Sequence, residues 1–366
     1  SRAYSERCLQ SALLEIPQGI YRFKDQMDDD GTSSEPLDIR VAVSISHNAR
    51  PTIAFDFSGT SAQAAGGINM AWPALVATVL YVVKAILVPE IPLNEGFMRT
   101  VQIRAPKGSL VNAQEPAPVG GRTDTCQRVV DAILGAMSQV LPERIVAASN
   151  GATTAVIFGG TKALSGRDFV YVEAVGGGMG ARATKDGMDG VQVHITNTSN
   201  LPIEAMEVEY PLRVLSYGLV PDSGGPGKYR GGLSIRKDFE ALKPVLFSAH
   251  SDRHRIPPWG LRGGLHGRCG CFILNPNTSQ AKVIPSKVSG VLLEKGNVLS
   301  VQTAGGGGFD SPLERDPERV ANDCLLGKVS DQKAREQYGV LLTEKGKVAP
   351  KATAALREKM TTEEDE

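Results

Sequence analysis

Forty glycines, densest in four short segments, are the feature that most limits how this chain of 366 residues can fold. The segments lie at 176–180, 224–232, 260–267 and 305–308. Glycine adopts positive φ without strain and lets another backbone or a ligand approach closely, so each segment predicts a tight connection between strands. Four such segments in one part of the chain, accompanied by charged residues, also indicate a surface for a small polar substrate or a partner protein.

The spacing of apolar residues predicts helices and strands in both halves of the chain. Alternation at 37–46 and 52–57 predicts strands with one buried face, and a helical period predicts helices at 72–87 and 123–140. Because these elements do not follow a strict strand–helix–strand rhythm, we expect an α+β fold rather than a doubly wound sheet.

The residue pattern of the second half predicts mainly strands, including 191–196 and 206–214. Two short helices are predicted after them, and Asp316 is expected to cap the first. We expect four parts, which are an α+β lobe at 1–165, a mostly β, glycine-rich lobe at 166–312, a closing helical segment at 313–345 and a disordered tail at 346–366.

Charge and cysteine content exclude several classes of partner. Lys plus Arg and Asp plus Glu both number 40, so no net charge attracts nucleic acid or anionic membranes. The longest apolar run, 74–88, contains Lys84 and is short for a span of about 20 residues. The first residues lack the pattern of a secretory signal, and five cysteines do not suggest a disulfide framework. We expect a cytoplasmic protein with reduced thiols.

Common nucleotide, nucleophile and metal motifs are absent from the sequence. The segment 225–229, GPGKY, lacks the spacing and the Ser or Thr of a phosphate-binding loop. No G-x-S-x-G serine motif occurs. Cys269 and Cys271 form a C-x-C pair without the further paired ligands of a zinc module, so no metal ligand is assigned.

The segment 250–254, HSDRH, is the best local acid–base candidate. His250 could act as a base and Asp252 as its orienting carboxylate, although ordinary loop polar groups would give the same pattern. Asp56 follows a predicted strand and is a third catalytic candidate, although a turn needs the same residue type.

Several other polar residues lie where a substrate could meet them. Arg122 precedes a predicted helix, whose amino-terminal end favours anions. Cys126 and His194 are interpreted as packing residues. The candidates for substrate binding are Asn69, Asn94, Arg122, Asp186, Arg230 and Arg253.

An ordered set of motifs over residues 1–345 resembles the hydantoinase B/oxoprolinase family. The motifs include PQGIY at 17–21, DFSGTS at 56–61, NEGFMR at 94–99, PAPVGGR at 116–122, DSGGPGKYRGGL at 222–233, PPWGLRGGLHG at 258–267 and GGGGFDSP at 305–312. Acetone and acetophenone carboxylase subunits are similar to the same family. The resemblance implies a carboxyl-terminal portion of a B-type subunit.

This resemblance implies a hetero-oligomeric enzyme that opens a cyclic amide, such as a hydantoin or 5-oxoproline. An A-type partner subunit would use ATP and Mg²⁺ to phosphorylate the amide, and the B-type subunit would direct ring opening. B-type chains of the family have a further amino-terminal region that binds a divalent metal in some members. The alternatives left open are a component of an acetone-type carboxylase and a non-catalytic assembly scaffold.

Overall fold

The structure is a computed structural model that describes residues 1–161 and 166–364. Helices and strands occur in similar proportion, and the strands form three separate sheets. This confirms the predicted α+β class. None of the helices in these two ranges is both long enough and apolar enough to cross a membrane.

The first part of the chain builds one sheet and covers it with helices. The strands are β1 (Gly19–Met27), β2 (Leu37–Ser46), β3 (Thr52–Asp56) and β4 (Val101–Arg104), in that order across the sheet. The helices are α1 (Arg2–Leu14), α2 (Trp72–Leu87), α3 (Glu95–Met98) and α4 (Arg122–Met137). β1, β2 and β3 pair antiparallel, whereas β4 runs parallel to β3. Alternate apolar residues of β2 are buried, as the period-2 pattern predicted.

Helix α4 is the centre of this part because it packs against α2, β1 and β2. Every residue from Asp124 to Met137 is buried. A buried helix that carries charged residues must supply each of them with a partner, since an unpaired buried charge is costly. This requirement places the polar cluster described below.

The second part contains two sheets with one shared apolar core. One sheet has the order β11-β10-β13-β8-β7, and the other has the order β12-β9-β5-β6. Their ranges are β5 (Thr154–Thr161), β6 (Asp168–Val175), β7 (Leu212–Leu219), β8 (Ile235–Ala241), β9 (Val245–His250), β10 (Cys271–Leu274), β11 (Lys282–Ile284), β12 (Val288–Leu293) and β13 (Val298–Gln302).

Strand β5 pairs with β6 and β9. It therefore belongs to the two sheets of the second part, although its residues fall within the lobe predicted at 1–165. Two predicted strands differ in the structure. Helix α5 (Ile203–Glu209) occupies the first part of 206–214, and strand β7 begins only at Leu212. Residues 191–196 form no strand. They are a loop that lies beside α4, where the backbone oxygen of Val193 accepts a hydrogen bond from the Gln127 side chain.

Three helices follow the sheets, namely α6 (Pro317–Leu325), α7 (Asp331–Tyr338) and α8 (Pro350–Glu364). Asp316 caps α6 by accepting from the backbone N–H of Glu318, as predicted. The disorder expected at 346–366 is contradicted by α8, because residues 350–364 form a helix. Arg357 donates to the backbone oxygens of Tyr338 and Arg315, and these tertiary contacts hold a helix that its sequence alone does not specify.

The glycine segments pack against one another rather than facing solvent. A Cβ atom placed on Gly231 would lie 1.9 Å from the backbone oxygen of Gly306, and one on Gly178 would lie 2.0 Å from that of Gly232. Backbone atoms fill the space that a side chain would need, so DSGGPGKYRGGL at 222–233 is a packing element between loops.

Candidate functional site

Three charged residues of α4 form one polar face inside the first part. Asp124, Arg128 and Asp131 are spaced by four and three residues, which places them on one side of the helix. Each meets residues brought from far along the chain, either from the end of β1 or from the end of β9 and the segment that follows it. The polar face of α4 therefore joins the sheet of β1–β4 to the two sheets of the second part.

His250 and Asp124 form a hydrogen-bonded pair at the amino-terminal end of this face. Nδ1 of His250 lies 2.9 Å from Oδ2 of Asp124, and the other carboxylate oxygen accepts from the backbone N–H of Thr153 at 2.7 Å. The Asp124 side chain is fully buried, whereas that of His250 is 25% exposed. Within the described ranges nothing is hydrogen-bonded to Nε2 of His250.

The environment of His250 favours its use as a base. With Asp124 ionised, Nδ1–H donates to the carboxylate, and Nε2 keeps its lone pair on the open side of the ring. Burial alone would lower the pKa of His250, but the hydrogen bond and the charge of Asp124 outweigh it and raise the pKa. The positive charge of Lys287 has the opposite effect and lowers the pKa of His250, which makes the net increase smaller.

Backbone loops approach His250 closely. The N–H of Gly121 donates to the oxygen of Gly67, and a Cβ atom on Gly121 would lie 3.7 Å from Cγ of His250. Asn69 holds this loop together, because its buried amide bonds to the backbone of Ala64, Gly66 and Pro118. The sequence proposed Asn69 for substrate binding, and its contacts in the structure support the loop beside the histidine.

Asp252 lies between two cations and is fully buried. Its Oδ1 is 2.6 Å from Nη2 of Arg128, and its Oδ2 is 2.7 Å from Nζ of Lys287. Burial alone would raise the pKa of Asp252, but Lys287 and Arg128 outweigh it and lower the pKa to about 2. With both oxygens engaged, Asp252 organises the cations around the site, and the carboxylate bonded to His250 is that of Asp124.

Arg253 is also enclosed by partners. Its guanidinium lies 3.0 Å from Asp25 and 2.8 Å from Asp131 and also donates to the backbone oxygen of Pro257. The side chain is fully buried, so it has no open face for a ligand. Arg253 therefore connects the end of β1 to α4.

The remaining sequence candidates lie in three other places. Asp56 accepts from the backbone N–H of Ser58 in a turn, and Asn94 caps α3 by accepting from Gly96 and Phe97. Asp186 and Arg230 belong to a separate charged cavity with Arg315, in which Asp186 accepts from Arg315 at 2.7 Å and Arg230 contacts Asp189.

Arg122 is exposed in the first turn of α4, two residues before Asp124. Of the candidates, the structure thus brings Arg122, Asn69, His250, Asp252 and the enclosed Arg253 to the same region.

Two important residues were not among the sequence candidates. The first is Asp124, for which the polar spacing of Asp124, Arg128 and Asp131 in a helix that must be buried was an available signal. Lys287 had no such signal, because it precedes β12 in a segment without a motif. Its position beside Asp252 depends on a contact across 35 residues.

Cys126 lies on α4 between Asp124 and Arg128. Cys126 is buried, and burial raises the pKa of its thiol to about 11, as suits a packing residue. Among the residues that the structure describes, no group of three or more His, Cys, Asp or Glu side chains is arranged to hold a metal ion.

Comparison with known proteins agrees with the motifs. Residues 1–312 match the family model described as hydantoinase B/oxoprolinase. The B-type subunit of a putative D-/L-hydantoinase from Pseudomonas sp. (strain NS671) is 34% identical over 97% of this chain and 61% of its own length. The chain spans about three fifths of the length of such curated relatives.

Two solved structures share the fold. The ATP-dependent caprolactamase from Pseudomonas jessenii has a TM-score of 0.86 and 26% identity, with 98% of this chain and 63% of that chain covered. A nucleotide-free acetone carboxylase has the same TM-score at 19% identity, with 98% and 55% covered, which is a likeness of fold. The family match over most of the chain and the similar relatives lead to one conclusion: this chain belongs to the hydantoinase B/oxoprolinase family.

Proposed function

We propose that this chain is part of the B-type component of an ATP-dependent cyclic amide hydrolase, and that His250 is the base that activates water for ring opening. The observation that carries the proposal is the pairing of His250 Nδ1 with the buried Asp124, which leaves Nε2 on the partly exposed side of the ring. A base that a third group holds in orientation is a common arrangement in acid–base catalysis.

The chemistry explains why such an enzyme needs both ATP and a base. An unstrained amide is a poor electrophile, and phosphorylation of its oxygen makes the carbon more reactive. Water then adds to that carbon as Nε2 of His250 takes its proton, and the C–N bond breaks to give an amine and an acyl phosphate. A second water releases phosphate, so that amide, ATP and two waters give the ring-opened amino acid, ADP and phosphate.

Charges around His250 suit an anionic, phosphorylated intermediate. Arg122 is exposed at the first turn of α4, where the helix end itself carries partial positive charge. Lys287 is held nearby by Asp252 and Asp29. In this proposal Arg122 binds the phosphoryl group, while Asp124 and Asp252 position His250 and Lys287 respectively.

The nucleotide belongs to a partner in this proposal. The relative from Pseudomonas sp. is named as one subunit of a hydantoinase, which implies at least one further subunit in that protein. We infer that an A-type partner binds ATP and Mg²⁺ and forms a hetero-oligomer with this chain. The described residues here carry no phosphate-binding loop of the Walker type.

The test is to express the protein together with its A-type partner and measure ADP and ring-opened product with hydantoin, 5-oxoproline and caprolactam. We expect at least one cyclic amide to stimulate ATP hydrolysis in step with product formation, and only when both proteins are present. Absence of stimulation by every cyclic amide would contradict the proposal. Bicarbonate-dependent consumption of a ketone in the same mixture would assign the protein to the carboxylases instead.

A further inference from the structure

A second cavity borders α4 next to its polar face, because the lining residue His194 contacts Asp131. Its volume is about 280 Å³, and it is bounded by α2, α4 and the segments around Arg182 and His194. The wall is largely aliphatic and consists of Val82, Ile86, Val130, Leu134 and Val146. This volume is at the lower end of the usual range for ligand pockets, about 300 to 1,000 Å³, so a ligand here would be small.

His194 contributes a polar side chain that is not fully satisfied. Its side chain is only 4% exposed, yet Nε2 lies 3.5 Å from Oδ1 of Asp131 and Nδ1 lies 3.4 Å from the hydroxyl of Tyr81. Both distances exceed those of good hydrogen bonds. In the described part of the chain, His194 Nε2 and Asp131 Oδ1 are both buried without a hydrogen-bond partner.

The backbone at His194 supports a role beyond packing. Its φ is +48°, in the left-handed region that residues other than glycine seldom adopt. Such strain persists only where the surroundings fix it, and it is concentrated at functional sites. His194 is one of the residues that line the cavity, and it contacts Tyr81 of α2 there.

Two arginines line the cavity, and one of them, Arg182, has no carboxylate partner among the described residues. The contact described for the Arg182 guanidinium is with Sδ of Met179 at 3.7 Å, and within the described ranges no carboxylate pairs with it. Its Nε is buried without a partner among those same residues. Arg144 meets Glu15 at 3.5 Å, but that pair is largely exposed and therefore weak.

We propose that this cavity binds a small carboxylate with an aliphatic body, with Arg182 and Arg144 holding the carboxylate while Tyr81 and His194 make polar contact at the wall. The aliphatic residues remove the ligand chain from water, and the guanidinium of Arg182, which has no carboxylate partner within the described ranges, selects an anion. This proposal does not depend on the hydrolase assignment, because it concerns binding to the chain itself.

Isothermal titration calorimetry of the protein with butyrate, hexanoate and octanoate tests the proposal, with hexanamide as the neutral control and inorganic phosphate as an anion without an aliphatic body. We expect saturable binding of hexanoate, tighter than butyrate by about fourfold per added methylene. Hexanamide should bind about tenfold more weakly or worse. Phosphate should not bind at this cavity.

Two independent variants locate the binding. Ala85→Trp places a large side chain at the exposed edge of the cavity and should abolish hexanoate binding, whereas Ala77→Trp, on the same helix but outside the cavity, should leave it unchanged. Arg182→Gln should weaken hexanoate about tenfold while the exposed Arg50→Gln does not.

Failure of hexanoate to saturate, equal affinity for hexanamide, or unchanged binding in a folded Ala85→Trp or Arg182→Gln protein would overturn the proposal. Thermal unfolding of each variant shows whether it is folded, and the two variants alter different properties of the site, so loss of one to misfolding leaves the other as the test.

Discussion

Nδ1 of His250 lies 2.9 Å from Oδ2 of Asp124, although 126 positions separate the two residues in the chain. The pair joins the end of β9 to the first turns of α4, so the fold of both parts is needed to form it. The proposed base is therefore a property of the assembled fold and not of the HSDRH segment alone.

The first prediction concerns Asp124→Asn. His250 must be neutral to act as a base, and its raised pKa places the acid limb of the ring-opening rate above the ordinary value of 6.5. Removing the carboxylate charge should lower the pKa of His250 and move that limb to lower pH. The rate at its plateau should fall roughly 10²-fold or more because the ring is no longer oriented. The measurement is the pH profile of product formation.

The matched control for this change is Asp168→Asn, which alters an exposed carboxylate whose described contact is Thr161. Its profile should superimpose on that of the original protein. An acid limb that stays in place in Asp124→Asn would show that His250 is not the titrating group.

A second prediction concerns the stability of the buried charges. Asp252→Ala leaves Arg128 and Lys287 without their shared carboxylate in a buried environment. Breaking one partner of a buried pair costs about 3–5 kcal/mol, so urea unfolding should show a loss of that order. Glu95→Gln removes an exposed partner of Arg2 and Arg99 and should cost less than about 1 kcal/mol. Equal losses in the two variants would contradict this account.

A third prediction is that the buried side chain of His254 makes the free energy of unfolding depend on pH. Burial lowers the pKa of its imidazole from 6.5 to about 4, and Nε2 has no hydrogen-bond partner within the described residues. Because the folded-state pKa lies below the unfolded one, the contribution of His254 is complete above pH 6.5 and is lost as pH falls toward 4.

The test of this contribution is to compare the original protein with His254→Leu. The difference in free energy of unfolding between them should change by up to about 3 kcal/mol between pH 7 and pH 4, in the direction that favours the variant at low pH. The ring contact with Phe272 at 4.7 Å is also lost, but that loss does not depend on pH. Parallel stability curves would exclude the predicted titration.

The glycine packing gives a further prediction. Gly231→Ala places a methyl group against the backbone of Gly306, which cannot move as a side chain would. We expect destabilisation of about 3 kcal/mol or more in chemical unfolding. Gly218→Ala is the control, because no atom lies within 4 Å of the added Cβ, and it should stay within about 1 kcal/mol of the original protein. A stable Gly231→Ala protein would argue against this packing.

Local patterns predicted much of the fold. The predicted bounds of α2 and β2 agree with the structure because each element has a regular apolar period and a clear stop. Strand 191–196 and the start of strand 206–214 were predicted wrongly, since a few alternating residues cannot distinguish a strand from a loop or short helix. Helix α8 was missed because its contacts, such as Arg357 with Tyr338, come from the tertiary structure.

The candidate site was predicted less completely than the fold. His250 stood out because it is titratable and lies beside the charged residues of the HSDRH segment. Its partner did not, since hydrogen bonds between distant segments leave no local pattern. The same limit explains why Arg253 was expected at a substrate surface although Asp25 and Asp131 enclose it.

The most direct test of the central claim is the rate of ring opening by the protein with its A-type partner after His250→Gln. We predict that product formation falls roughly 10²-fold or more while the amount of complex with the A-type partner is unchanged, because His250 acts in the proton transfer and not in assembly. The exposed His266→Gln should retain the original rate. An unchanged rate in His250→Gln would contradict the assignment of His250 as the base.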